Sequence, residues 1–433
     1  MKAAPFRQHP QREQLIGELH ARPSDPLRAP LRVSQFTVLS GEHGAETDHA
    51  HFSALCARKG GSAPAAGAKQ HIADFGGLTA KWERHTEFSS FTFYRRAHVS
   101  DPFDKTVIDE LPHEWLADLP GEVLSALHLA MLPCDAEIPG AEEISLRYFN
   151  GNPLVANTVA GGKGRVWADF RLHADGFTRM LLQDCGLDAR HAGRTVQRLI
   201  EMNTYRALAL LSLPLAQDTI PRLRVIDESL AIVSTRMADA ADQTTDAELL
   251  GRLSQLSADI ESLAARTSYR FGATRAYYGL VRQRLRDLRT DRLEGYLTID
   301  GFLERRMGPA MSTCESAAER QESLAQRASR IGSLLRARVE VGLERQNSDL
   351  LNSMNERSRI QLKLQETVEG LSVVAISYYA VGLVGYLFKG LKDAGLPVNV
   401  GIATALSVPV VAGLVWYGIR RAKRAVVKRR GRD

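Results

Sequence analysis

The chain is poor in the residues and patterns that carry most recognisable chemistry. Its 433 residues include four cysteines, Cys56, Cys134, Cys185 and Cys314. They form no C-x-x-C pair and their spacings fit no zinc site, which excludes a disulfide scaffold and a zinc ribbon. So few scattered thiols suit a reducing, cytosolic environment. The opening stretch MKAAPFRQHPQREQ has no apolar segment, so no cleavable signal peptide is expected. The phosphate-loop, zinc-protease and nucleophile-elbow patterns are missing. The nearest approach to one, GGKGR at Gly161–Arg165, leads into a strand rather than a helix and reads as a hairpin turn. The expectation is a protein that is not an enzyme, with no catalytic, cofactor-binding or metal-ligating residues and no cofactor.

Charge is missing from two long runs, Leu371–Phe388 and Val398–Ile419. A spanning helix needs about 20 mostly apolar residues, so the two read as a transmembrane hairpin over 368–388 and 398–419. Gly382, Gly385, Gly401 and Ala405 would let the two helices approach closely. Tyr386, Trp416 and Tyr417 lie near the span ends, where amphipathic rings favour the interface. Tyr378 and Tyr379 lie deeper, so their hydroxyls would need partners inside a bundle or pore. Of the 56 basic residues, eight follow the second run at once: Arg420, Arg421, Lys423, Arg424, Lys428, Arg429, Arg430 and Arg432. Asp433 is the one acid among them, so the rest of the chain is nearly neutral and no nucleic-acid partner is expected. The connecting loop has only Lys389 and Lys392, beside Asp393. By the positive-inside rule the tail is cytoplasmic, and two crossings place the N-terminal body there too.

Proline is missing from 222–308 and again from 310–396, and both intervals read as long helices. In the first, Thr245 and Glu248 suggest a capping box. Leu249, Leu253, Leu256, Ile260 and Leu263 then step as a heptad stripe suited to packing within the chain. In the second, apolar residues recur at eleven: Leu324 with Leu335, Ala328 with Val339, Val339 with Leu350, Leu343 with Met354. A continuous stalk helix from near Ala310 into the first span is expected, with parallel self-association as a homo-oligomer. The polar stretch NSDLLNSMNERSRIQLKLQ reads as a solvated coiled-coil face or as the lining of a hydrated pore entrance.

All twelve histidines precede residue 192. Strands are expected at LRVSQFTVL, LTAKWERHTEFSSFTFY, EISLRYF and GRVWADFRLHADGF, and helices near HPQREQLIGELHARP and GEVLSALHLAML. KGGSAPAAGAK, Lys59 to Lys69, reads as a flexible surface loop. The result is an α+β domain. On one strand Lys81, Glu83, His85 and Glu87 share a face, with Ala80, Trp82 and Phe88 opposite. On another Arg165, Asp169, Arg171 and His173 line up against Val166, Ala168, Phe170 and Leu172. Cross-strand ion pairs on a solvated face are the favoured reading, with anion or metal binding as alternatives. The chain divides into an α+β cytosolic domain (1–175), a helical domain (176–308), a stalk (309–367), the hairpin (368–419) and a basic tail (420–433).

Five stretches resemble a known family: ELHARP (Glu18–Pro23), KWERHTEFSSFTF (Lys81–Phe93), RVWADFRLHADGF (Arg165–Phe177), AGRTVQRLIEMNTYRALALLSLPLA (Ala192–Ala216) and VEGLSVVAISYYAVGLVGYL (Val368–Leu387). They are similar to the bacterial membrane-anchored proteins catalogued as domain of unknown function 3422. The resemblance implies anchoring in the inner membrane of Gram-negative bacteria and supplies no catalytic residue. The order of parts also resembles CorA-type magnesium channels, but VGYLFKG stands where that family has Gly-Met-Asn. Two functions follow. One is a membrane-anchored interaction or scaffold protein with a cytosolic protein partner. The other is an oligomeric CorA-like cation channel or transporter.

Overall fold

The computed structural model describes residues 7–12, 15–16, 24–41, 44–96, 101–239, 243–394, 397 and 399–430. The expected helix over 9–23 falls largely outside these, as does ELHARP. The chain forms two compact units. One comprises Met1–Asp239 with Leu249–Gly332, the other Ala240–Glu248 with Ser333–Asp433.

The first unit is built on one nine-stranded sheet. Its elements in chain order are β1 (Leu31–Leu39), α1 (Gly44–Lys59), β2 (Gln70–Asp74), β3 (Leu78–Arg84), β4 (Ser89–Arg95), α2 (His113–Ala117), β5 (Glu122–Leu132), α3 (Ala141–Phe149), β6 (Val155–Val159), β7 (Gly164–Ala168), β8 (Thr178–Asp184), α4 (Ala189–Leu210), α5 (Leu213–Asp239), α6 (Gln243–Asp287) and β9 (Asp291–Arg292). The spatial order is β2-β3-β4-β1-β5-β8-β7-β6-β9, and among the described strands β5 and β8 are the pair that runs parallel. This sheet runs past residue 175 and takes in β8, so a division at 175 would cut it.

Alternation sorts the side chains to two faces. Leu127, Leu129 and Met131 of β5 join Leu31 and Val33 against Val196, Leu199 and Met202 of α4. Phe36, Trp82, Phe91 and Phe93 pack on the other face with Phe52 and Leu55 of α1. Further along, Trp167 and Leu181 pack with Ile144 and Phe149 of α3.

Several local expectations are corrected. The stretch around Val123–Leu132 is the strand β5, not a helix. It is buried on both faces, and a continuous apolar run carries no period to separate strand from helix. EISLRYF is the helix α3, not a strand. Ile144, Tyr148 and Phe149 are buried at helical spacing, and Asn150 closes the helix in the left-handed conformation, φ 53°. LTAKWERHTEFSSFTFY is a hairpin rather than one strand, because His85 N donates to Phe88 O at 2.8 Å and turns the chain. GRVWADFRLHADGF ends its strand at Ala168, and Phe170 adopts φ 52°. The GGKGR turn does join β6 to β7 as a hairpin.

α7 (Ile299–Asp393) is continuous for 95 residues and starts well before Ala310, with Pro309 inside it. Its first N–H groups have no helical partner. The buried Asn157 side chain takes up that of Ile299 at 2.7 Å. The stripe Leu249, Leu253, Leu256, Ile260 and Leu263 is buried within the chain. α6 begins at Gln243, so Thr245 falls inside its first turn rather than at the cap.

In the second unit α7 continues to Asp393, and α8 (Val400–Arg430) follows. Each holds an apolar window of mean hydropathy 1.8 with none of it buried, so both are long and apolar enough to cross a membrane. A Cβ on Gly385 would lie 3.6 Å from Thr404, so the pair comes close where the small residues lie.

Candidate functional site

The half of the sheet built from β1, β3 and β4 turns a polar face toward α4. Register places Lys81 beside Thr92 and Glu83 beside Ser90. Alternation sends Ala80, Trp82, Phe91 and Phe93 into the aromatic core behind them. Burying such polar groups costs free energy unless they are hydrogen-bonded, and most are. Gln35 Nε2 donates to Thr37 Oγ1 at 2.9 Å and to Ser90 Oγ at 3.1 Å. Asn203 Nδ2 donates to Ser125 Oγ at 3.0 Å, and the hydroxyls of Thr37 and Thr204 lie 3.3 Å apart.

A cavity of about 250 Å³ remains between this face, α4 and the segment Ser24–Leu27. Lys81, Glu83 and His85 line it from the sheet side, Gln197 and Glu201 from α4, and Arg284 from α6. Lys81 is 3% exposed and pairs with Glu83 at 3.0 Å. Arg284 pairs with Glu201. Asp25, also on the wall, keeps Oδ2 buried with no hydrogen-bond partner. Burial pushes the Tyr94 phenol up, and the carboxylates of Asp25 and Glu83 push it further, so it stays a neutral donor. Segment 24–27 fits because residue 193 of α4 is glycine. A Cβ there would lie 1.8 Å from the Asp25 carbonyl oxygen. The cavity is small, has two ion pairs on its wall and one carboxylate oxygen left without a partner, which suits a small polar ligand carrying a hydrogen-bond donor or positive charge.

The polar face at Lys81 is therefore buried, not solvated, and Lys81 pairs along its own strand rather than across strands. The sequence-predicted residues divide among three places. Lys81, Glu83 and His85 meet at the cavity. Glu87 instead accepts two bonds from Arg270 Nη2 of α6, both 2.8 Å. Arg165 and Arg171 are exposed. Asp169 and His173 are buried together at 2.8 Å, with Asn152 Nδ2 donating to the same carboxylate oxygen at 2.9 Å. Among the described residues no group of three or more His, Cys, Asp or Glu could hold a metal.

Sequence reasoning missed one constellation. Ser34 Oγ lies 2.9 Å from His128 Nδ1, and Asp175 Oδ2 lies 3.9 Å from His128 Nε2. The order suggests a nucleophile triad. The second distance is too long for a hydrogen bond, and Ser34 is wholly buried between β4 and β5. Phe177 stacks on the ring at 3.8 Å. The group is a cross-strand core contact. Its only sequence signal is strand register, which no local pattern reveals.

No curated protein and no solved structure matches the chain. A family model described as "Protein of unknown function (DUF3422)" matches residues 7–426. The match takes in the sheet, the cavity, the long helices and nearly all of the apolar pair, and the chain belongs to that family.

Proposed function

We propose that the protein is a two-pass anchor in a bacterial inner membrane, with a cytoplasmic sheet unit that binds a ligand or protein partner. The observation that carries this is the helix α7. It starts on the sheet, capped by Asn157, and runs unbroken into an apolar window whose side chains are left exposed. Leu371, Val374, Leu383 and Leu387 at 66–74% exposure would be costly in water, and hydrocarbon removes that cost. Eight basic residues after the second apolar run favour a cytoplasmic C-terminus, and the loop near 389–397 then lies outside. Reporter fusions after Asp433 and within that loop test the orientation. Cytoplasmic and periplasmic signals respectively are expected, and a periplasmic C-terminus overturns it.

A second reading, an oligomeric cation channel, is favoured by the exposed apolar residues of α7 that lead into the span, among them Leu343, Leu350 and Met354. Two spans per chain need several copies around an axis to make a pore. The measurement is subunit number in detergent together with conductance in planar bilayers. A monomer removes the channel.

A further inference from the structure

The Gly161–Arg165 turn forms one rim of a second cavity, of about 400 Å³. Lys163 from the turn, Arg194 and Arg198 from α4, Arg286 from the end of α6 and Arg289 just past it converge on it. The carboxylate on its wall, Asp287, is engaged by Arg284 at 3.2 Å. His191, also on the wall, is held by Asp188. Arg198 Nη1 donates to the Asp287 carbonyl at 2.9 Å, which fixes its guanidinium at the cavity edge. Lys163, Arg194, Arg286 and Arg289 have no ion-pair partner among the described residues.

Five cations around one concavity repel each other. A bound anion reverses that balance, and a guanidinium fork matches the paired oxygens of a phosphoryl group. We propose that this cavity binds a phosphoryl group, carried by a soluble phosphate ligand or by an anionic lipid headgroup. The test uses the full chain in nanodiscs of zwitterionic lipid, titrated calorimetrically. One arm uses pyrophosphate, the other glycerophosphoglycerol, a deacylated anionic headgroup. Saturable binding in the first arm identifies a soluble ligand, and in the second a headgroup. The double variant Arg194→Gln with Arg289→Gln weakens binding by about tenfold or more. Arg224→Gln on α5, an equal change of charge, leaves it unaltered. No binding in either arm overturns the proposal, as does undiminished binding by the double variant. Should that variant unfold, Lys163→Gln on the exposed turn decides in its place, and unchanged affinity there is the negative result.

The parallel pairing of β5 and β8 sets up a second site independently. Leu132 stands opposite Gln183. Two residues further along each chain come Cys134 and Cys185; burial, and after it the neighbouring Cys134 thiol, push the Cys185 thiol up. Gln183 Nε2 donates to the Cys134 carbonyl at 3.4 Å and that of Ala136 at 3.1 Å, which holds the segment in place. The register, carried past the strand ends at Leu132 and Asp184, sets the two cysteines opposite each other, and the spacing of parallel neighbours, about 4.8 Å, lies within the Cα range a disulfide spans, about 4.4–6.8 Å. Cys134 is exposed and Cys185 half-buried, whereas Cys56 and Cys314 are buried.

The geometry points to a reversible dithiol–disulfide site. Hydrogen peroxide oxidises the Cys134 thiol to a sulfenic acid and releases water. The Cys185 sulfur then attacks, forming the S–S bond and releasing a second water, and a small dithiol reverses the reaction. Intact-mass measurement after mild peroxide should show a loss of about 2 Da that dithiothreitol restores. Cys134→Ser should abolish it. Oxygen addition without that loss, or a loss that persists in Cys134→Ser, overturns the assignment.

Discussion

His128 shows what burial does to one titratable residue. Burial lowers its pKa to about 4, so the ring stays neutral in the folded chain while the unfolded chain protonates it near the usual value. Between those two values the unfolded state binds the extra proton. Stability is therefore lost as pH falls from about 6.5 toward 4, by on the order of 3 kcal/mol from this ring. His128→Gln should flatten the decline of the unfolding midpoint over that interval, and an unchanged slope would place the effect elsewhere. Gly193 makes a second residue-scale case. In an open helix Gly→Ala stabilises by about 1 kcal/mol. Here the added methyl meets the Asp25 carbonyl, so Gly193→Ala should destabilise by about 1–3 kcal/mol and displace the wall of the cavity. A raised thermal midpoint would show that segment 24–27 does not rest on α4.

At the scale of elements, the β3–β4 hairpin is tied to α6 through Glu87 and Arg270, both about 15% exposed in their side chains. A surface pair would contribute about 0.2–1 kcal/mol. This sheltered pair, in which one guanidinium nitrogen meets both carboxylate oxygens, should cost about 1.5–3 kcal/mol when Glu87→Ala leaves Arg270 unanswered. A double-mutant cycle with Arg270→Ala measures it. The stalk divides in two along its eleven-residue stripe. Leu324, Ala328 and Leu335 are buried within the chain, while Leu343, Leu350 and Met354 are exposed. In unit one, Arg320 and Arg327 of α7 bind Asp227 of α5 at 3.1 and 2.8 Å. The covered part is thus spoken for, and the proposed self-association belongs to the exposed part. Cysteines at positions 343, 350 and 354, in a background without native cysteines, should form symmetric crosslinks between chains. Failure at all three would leave a monomeric anchor.

For the whole molecule, anchoring and surface attachment make different demands. A basic tail alone would bind anionic lipid through charge and be released by salt. A spanning pair resists both salt and alkaline washing, because its apolar area must stay in hydrocarbon. Membrane fractions should therefore retain the protein after a carbonate wash and release it only to detergent. Release by salt would reduce the two helices to peripheral attachment.

The two apolar helices and the continuity of α7 beyond Pro309 were legible in the sequence because each depends on local composition: uninterrupted apolar runs and a scarcity of proline. Lys81, Glu83 and His85 were legible as a shared face for the same reason, since strand alternation is local. That the face is buried, and closes a cavity with Asp25, Gly193 and Arg284, was decided by tertiary structure. These residues lie up to several elements apart, and only the packing of α4 and α6 on the sheet brings them together. β5 and α3 were misread for the opposite reason. A strand buried on both faces has no alternation to read, and a helix of nine residues gives its period too few turns to show. The contact of Ser34 with His128, like the proposed pairing of Cys134 with Cys185, rests on strand register, a relation between segments that neither segment encodes alone.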